Sequence, residues 1–235
     1  MGTQTIGALM LAAALLPTTA GAASVFGTNL IANGDAEADV GSSTGDTIGT
    51  VTGFTTTGNF TEVLYGAPGG FPLATDPGPV NRGLNFFAGG PAIASSRGTQ
   101  KIDLSSGASA IDHGASFALS AYLGGFSSQR DNAVLSVSFL DGVGNVLGTD
   151  SVGSVTNVDR GNLTGLLFRG TTGAVPIGTR SAEIALDLTR IDGSYNDGYA
   201  DNLSLVVTAV PEPETYVLFS AGLAALFVRR RLAKR

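Results

Sequence analysis

The stretch Ser116-Phe117-Ala118-Leu119-Ser120-Ala121-Tyr122-Leu123 puts Phe117, Leu119, Ala121 and Leu123 on one face. A side-chain period of two is that of a β-strand with one face in a core. The pattern recurs in Ala133–Leu140, where Leu135, Val137 and Phe139 oppose Ser136 and Ser138. Asp141-Gly142-Val143-Gly144-Asn145 then supplies turn residues, and Val146-Leu147 starts a return strand. Ala182, Ile184, Leu186 and Leu188 alternate with Glu183, Ala185 and Asp187, and Asn202–Val207 forms a closing strand. Strands at short spacing with no long helical period predict an all-β fold. Two packed antiparallel sheets, a jelly-roll β-sandwich, satisfy that pattern.

The composition agrees. The 34 glycines are scattered between short apolar runs and show no triplet period, which excludes collagen and suits tight turns. The stretch from Gly66 to Pro91, rich in proline and glycine, is expected to be loop. Cysteine is absent, so disulfides, thiolate nucleophiles and cysteine metal sites are excluded. Between residues 24 and 210 there are eight basic and seventeen acidic side chains, a net charge of −9. So acidic a domain has little with which to neutralise phosphates, and a nucleic-acid partner is not expected.

The two ends differ from the middle. Ile6–Leu16 is apolar and alanine-rich, and Ala20-Gly21-Ala22-Ala23 follows shortly after. An apolar run too short to span a bilayer, followed by small residues, predicts a signal peptide over 1–23, removed by signal peptidase. No Lys or Arg precedes the run, a departure from the usual leader. At the other end, Val210-Pro211-Glu212-Pro213 leads into an apolar run over 215–228 and a basic end over 229–235 that opens with Arg229, Arg230 and Arg231. As a helix, the fourteen apolar residues reach about 21 Å, short of a hydrocarbon core of about 30 Å. Basic residues clustered after the run mark a cytoplasmic flank, and long basic side chains extend the reach by snorkelling.

This order of parts at the extreme C-terminus resembles the PEP-CTERM sorting signal of Gram-negative bacteria. The resemblance covers 210–235 and implies a single hydrophobic helix held transiently in the inner membrane and processed by an exosortase. It also implies delivery to the cell surface or extracellular space, in association with exopolysaccharide and biofilm matrix. The domain between, 24–209, carries two further resemblances. Asn29-Leu30-Ile31-Ala32-Asn33-Gly34-Asp35-Ala36-Glu37 is similar to the opening strand of galactose-binding-like jelly rolls, with Ala36 in place of the usual aromatic. Ala200-Asp201-Asn202-Leu203-Ser204-Leu205 is similar to their closing strand. Such modules include many carbohydrate-binding domains. In several, acidic side chains near the first and last strands hold a structural Ca2+; carried over, the ligands are Glu37 and Asp201, with Asp35 as a lesser one. Calcium takes six to eight oxygens, which loops at strand ends can supply.

Other constellations point away from catalysis. Asp192–Asp201 is dense in oxygen ligands, but an EF-hand started at Asp192 would need Gly where Asp197 stands and Glu where Leu203 stands. It reads as a polar loop leading into the last strand, with Tyr195 and Tyr199 as candidate sugar-stacking residues. Tyr65, Tyr122 and Phe126 are further aromatic platforms, tryptophan being absent. One histidine, His113, supports no triad. The expectation is a non-enzymatic exported surface or matrix protein. A Ca2+-assisted lectin is the first alternative and a secreted polysaccharide hydrolase the second.

Overall fold

The structure is a computed structural model that describes residues 24–46 and 49–210. The expected signal peptide, the apolar run over 215–228 and the basic end lie outside the described residues.

Two five-stranded antiparallel sheets face each other. One has the order β1 (Thr55–Thr57), β4 (Ser95–Asp103), β9 (Ser181–Thr189), β6 (Asn132–Leu140) and β7 (Val146–Gly153). The other has β2 (Thr61–Leu64), β3 (Asn85–Pro91), β10 (Tyr195–Ala209), β5 (Ala115–Gly125) and β8 (Gly165–Ala174). One short helix, α1 (Ala108–His113), precedes β5. The sandwich expected from the alternation is the fold observed.

The alternating residues do what their period dictates. Leu119, Leu123, Leu135, Val137, Ile184, Leu186, Leu188 and Leu205 are each fully buried between the sheets. Phe117 of one sheet meets Phe139 of the other at 5.0 Å between ring centroids. Burial of each such side chain contributes about 1.5–3 kcal/mol. The Asp141–Asn145 turn forms as expected: Asp141 Oδ1 accepts the N–H groups of Val143 and Asn145 at 3.0 and 2.8 Å.

Three local expectations need correction. The loop predicted up to Pro91 ends at Leu84, because Asn85–Pro91 pairs with both β2 and β10. The Asp192–Asp201 segment is mostly strand, β10 beginning at Tyr195. Its polar side chains are satisfied inside the fold: Asn196 Nδ2 donates to the Leu188 carbonyl at 2.9 Å, and Gly198 lets the backbone close on Asn132. The Asn29–Glu37 segment is not a strand. Asn33 and Ala36 adopt φ of 53° and 58° and turn the chain. It still runs beside β10, with Leu30 N–H on the Leu205 carbonyl at 2.8 Å and Leu203 N–H on the Gly34 carbonyl at 2.7 Å.

Candidate functional site

The sheet containing β10 buries its inner face in the core and part of its outer face beneath a loop. Thr61, Ala88, Tyr199, Gly124 and Leu166 form one row across the strands by register. Val63, Phe71, Phe86, Leu166 and Tyr199 make a second apolar cluster there. The chain between β2 and β3 folds back over this face, led by Phe71, whose ring meets Phe86 at 6.1 Å and Tyr195 at 5.2 Å.

Two guanidinium groups pin the loops around that cluster. Arg82 donates to the carbonyls of Pro79, Leu73 and Asp76 at 2.9–3.0 Å and lies 5.2 Å from the centre of the Tyr65 ring. Arg160, 6% exposed, donates to the carbonyls of Ser127 and Gln129 at 2.9 and 3.0 Å and also to that of Leu163. It thereby ties the β5–β6 turn to the β7–β8 loop. The Pro77 carbonyl accepts the Leu166 N–H at 2.8 Å and joins the β2–β3 loop to the start of β8, next to the β7–β8 loop.

Between these three loops lies a cleft of about 580 Å³. Its walls include Phe71, Leu73, Pro77, Phe126 and Leu163, with Asp76, Ser127, Asn162 and Thr164 as the polar side chains. Leu73 and Leu163 are 50% and 59% exposed, so apolar surface is presented to solvent. Phe126 lies against the backbone of Gly70, where a Cβ would come within 2.4 Å of its ring. Asp76 is the one carboxylate among the described residues that line the cleft, and its Oδ2 accepts the Leu73 N–H at 2.8 Å. An apolar cleft with a few fixed polar groups is built to hold a ligand, and pinned walls lower the ordering entropy of binding.

The residues singled out in the sequence are placed as follows. Phe126 is in the cleft. Tyr122 is half-buried on the outer face and meets the exposed Phe168 edge-on at 5.6 Å. Tyr195 is half-buried, and its hydroxyl donates to the Gly45 carbonyl at 2.9 Å. Tyr199 has no exposed surface; its hydroxyl donates to Asp197 and its ring meets Phe86 edge-on at 5.1 Å. Strand β10 turns Tyr199 under the loop, so no face of its ring is open to a sugar. Phe71, Asp76, Leu163 and the pinning Arg82 and Arg160 were not singled out. Each lies in an irregular loop whose packing leaves no periodic signal.

Asp201 is also fully buried. Its Oδ2 accepts from the Tyr65 hydroxyl at 2.8 Å and its Oδ1 from the Asn202 N–H at 2.6 Å. Burial, aided by Glu37 and Asp35, pushes its carboxyl up to about 8. Glu37 Oε1 accepts the N–H groups of Leu84 and Asn85 at 2.7 and 2.8 Å, and Asp35 is exposed. The all-oxygen chemistry of Glu37, Asp201 and Asp35 suits Ca2+, but their geometry does not. Both Asp201 oxygens and one Glu37 oxygen are committed to protein donors. No three acidic or histidine side chains among the described residues converge on a metal position.

No curated protein matches the chain. Among solved structures it is similar to the enzymatically active domain of bacteriophage CBA120 tailspike protein 4, at 22% identity and a TM-score of 0.45. That match covers 77% of this chain and 21% of that one. It is also similar to the carbohydrate-binding module TmCBM61 in complex with β-1,4-galactotriose, at 16% identity, TM-score 0.43, and 76% and 98% coverage. A family 16 carbohydrate-binding module matches at 18% identity, TM-score 0.46, and 76% and 99% coverage. Residues 209–231 match the PEP-CTERM protein-sorting motif, which takes in Val210-Pro211-Glu212-Pro213 and Arg229–Arg231. The chain therefore carries a PEP-CTERM sorting motif, which marks it for export with its C-terminal region as the membrane anchor.

Proposed function

We propose that this is an exported surface protein whose jelly-roll domain, 24–209, binds polysaccharide without cleaving it, in the cleft around Phe126. The observation that carries the reading is the pairing of that apolar, pinned cleft with a sorting motif on the same chain. Sugar rings present apolar C–H faces to aromatic surfaces and hydroxyls to polar rims, and the cleft offers both. Glycoside hydrolysis ordinarily needs two carboxylates flanking the bond, and the cleft lining supplies Asp76 alone. The non-catalytic reading is preferred on that ground to a secreted hydrolase.

In this reading an exosortase processes the tail near Val210-Pro211-Glu212-Pro213, signal peptidase removes 1–23, and the domain joins the exopolysaccharide matrix of a Gram-negative cell. Mass spectrometry of the mature chain by cell fraction locates both cleavages. A glycan array probed with the mature chain, with and without chelator, tests the binding. Signal on matrix polysaccharides in both conditions is expected. Absence of any glycan signal overturns the binding reading, and signal lost with chelator favours the calcium-assisted lectin instead.

A further inference from the structure

The polar side chains of the cleft decide which polymers it can hold. Asp76, half-buried, is the one ionisable group among the described residues that line it. Its Oδ2 accepts the Leu73 N–H at 2.8 Å, and its Oδ1 has no hydrogen-bond partner among the described residues. The other polar groups are neutral. Asn162 Oδ1 accepts from Asn157 Nδ2 at 2.9 Å, which leaves Asn162 Nδ2 to donate. Thr164 Oγ1 accepts the Ser127 N–H at 3.1 Å and keeps its own proton to give.

Neither nearby guanidinium lines the cleft. Arg82 is turned onto the carbonyls of Pro79, Leu73 and Asp76, and Arg160 onto those of Ser127, Gln129 and Leu163. A carboxylate, sulfate or phosphate ester on a sugar would leave water for apolar walls without a cation to pair with. It would meet the Asp76 carboxylate instead. Two like charges about 4 Å apart weaken binding about fivefold even at the dielectric of water, and more in a partly buried site. The net charge of −9 over residues 24–210 adds the same sign at longer range. A sugar hydroxyl meets the opposite: it can donate to Asp76 Oδ1 in a charge-assisted hydrogen bond.

We propose that the cleft takes an uncharged polysaccharide and that Asp76 sets this choice, accepting a hydroxyl from a neutral sugar and turning away one that carries an anionic substituent. The proposal rests on the polysaccharide-binding reading above and names the class of polymer for that same cleft. Specificity of this kind is a difference between two affinities, gained here from an attractive contact to one class and an unpaired like charge against the other.

The test titrates neutral glucan, mannan, galactan and xylan beside the carboxymethyl derivative of each, so that the backbone is held and the charge varies. The mature chain is compared with Asp76→Asn, whose carboxamide oxygen can still accept the Leu73 N–H, and with Glu183→Gln. Glu183 is exposed on β9 in the other sheet, so its loss removes the same charge away from the cleft. The parent is expected to prefer a neutral polymer to its carboxymethyl form by about fivefold or more. Asp76→Asn should narrow that ratio and Glu183→Gln should not. Binding of the carboxymethyl form should strengthen as salt screens the repulsion. The salt slope is read on the parent, so it carries the test even where Asp76→Asn lowers the melting temperature. Carboxymethyl forms bound as tightly as the neutral ones, affinity for them that falls with salt, or equal narrowing by both substitutions overturns the proposal and leaves a polysaccharide-binding cleft. Absence of binding to every polymer, charged or neutral, overturns the polysaccharide reading together with it.

Discussion

The Tyr65 hydroxyl donates to Oδ2 of Asp201 at 2.8 Å, and Asp201 has no exposed surface. Burial of that carboxyl favours its neutral form, raising it from 3.8 to about 8. Burial also lifts Glu62 to about 7 and Asp197 to about 6. The folded chain therefore holds these protons more tightly than the unfolded chain. Their contribution to stability is complete below about pH 4 and is lost as pH rises through the folded values, at up to about 1.4 kcal/mol per pH unit per group. Asp192, lowered to about 2 by Arg130, acts the other way and only in acid. The melting temperature is expected to peak near pH 4, fall as pH rises to about 8, and level off above that. Asp201→Asn should flatten the alkaline fall. An identical pH profile in parent and variant would show that Asp201 is not the titrating group.

The same contact bears on calcium. With Asp201 already satisfied by Tyr65 and Asn202, added Ca2+ or chelator is expected to leave the melting temperature unchanged. A rise with saturating Ca2+, reading RT ln(1 + [L]/Kd), would mean that Asp201 exchanges the Tyr65 hydroxyl for the ion.

Tyr199→Phe separates structure from recognition. It removes the donor to Asp197 and leaves a buried acceptor unpaired, which should destabilise by about 1–3 kcal/mol. The loss should shrink below pH 6, where Asp197 is protonated. Glycan affinity should not change, because the Tyr199 ring faces Phe86 and Phe71 and not solvent. A fall in affinity with unchanged stability would return Tyr199 to the binding surface.

How much was legible in the sequence follows from what writes a pattern. Strands β5, β6 and β9 pack one face on a common core, so Phe117, Leu135 and Ile184 announce themselves by period two. Strand β10 disguises its start: the register shifts between Asn196 and Tyr199, and Asn202 takes a φ of 49°, breaking the alternation. The tail was legible because its parts are contiguous. The cleft was not, because Phe71, Phe126 and Leu163 come from three loops brought together by tertiary contacts. The two guanidinium groups that pin those loops bond only to carbonyls, a role that carries no side-chain signature. Phe126 is legible as an aromatic platform but not in its place, and Tyr199 reads as a candidate stacking residue only while Asp192–Asp201 is taken for a loop; β10 begins before it and buries it.

The central claim is that the cleft at Phe126 binds polysaccharide. Titration calorimetry of the mature chain against the polysaccharide that gives array signal tests it most directly, with Phe126→Ala as the comparison. Loss of an aromatic anchor at a binding site typically removes 1.4 kcal/mol or more, about tenfold in Kd or greater. The account predicts that loss with a folded variant whose melting transition stays cooperative. Equal affinity of parent and Phe126→Ala would contradict it and place any binding elsewhere on the domain.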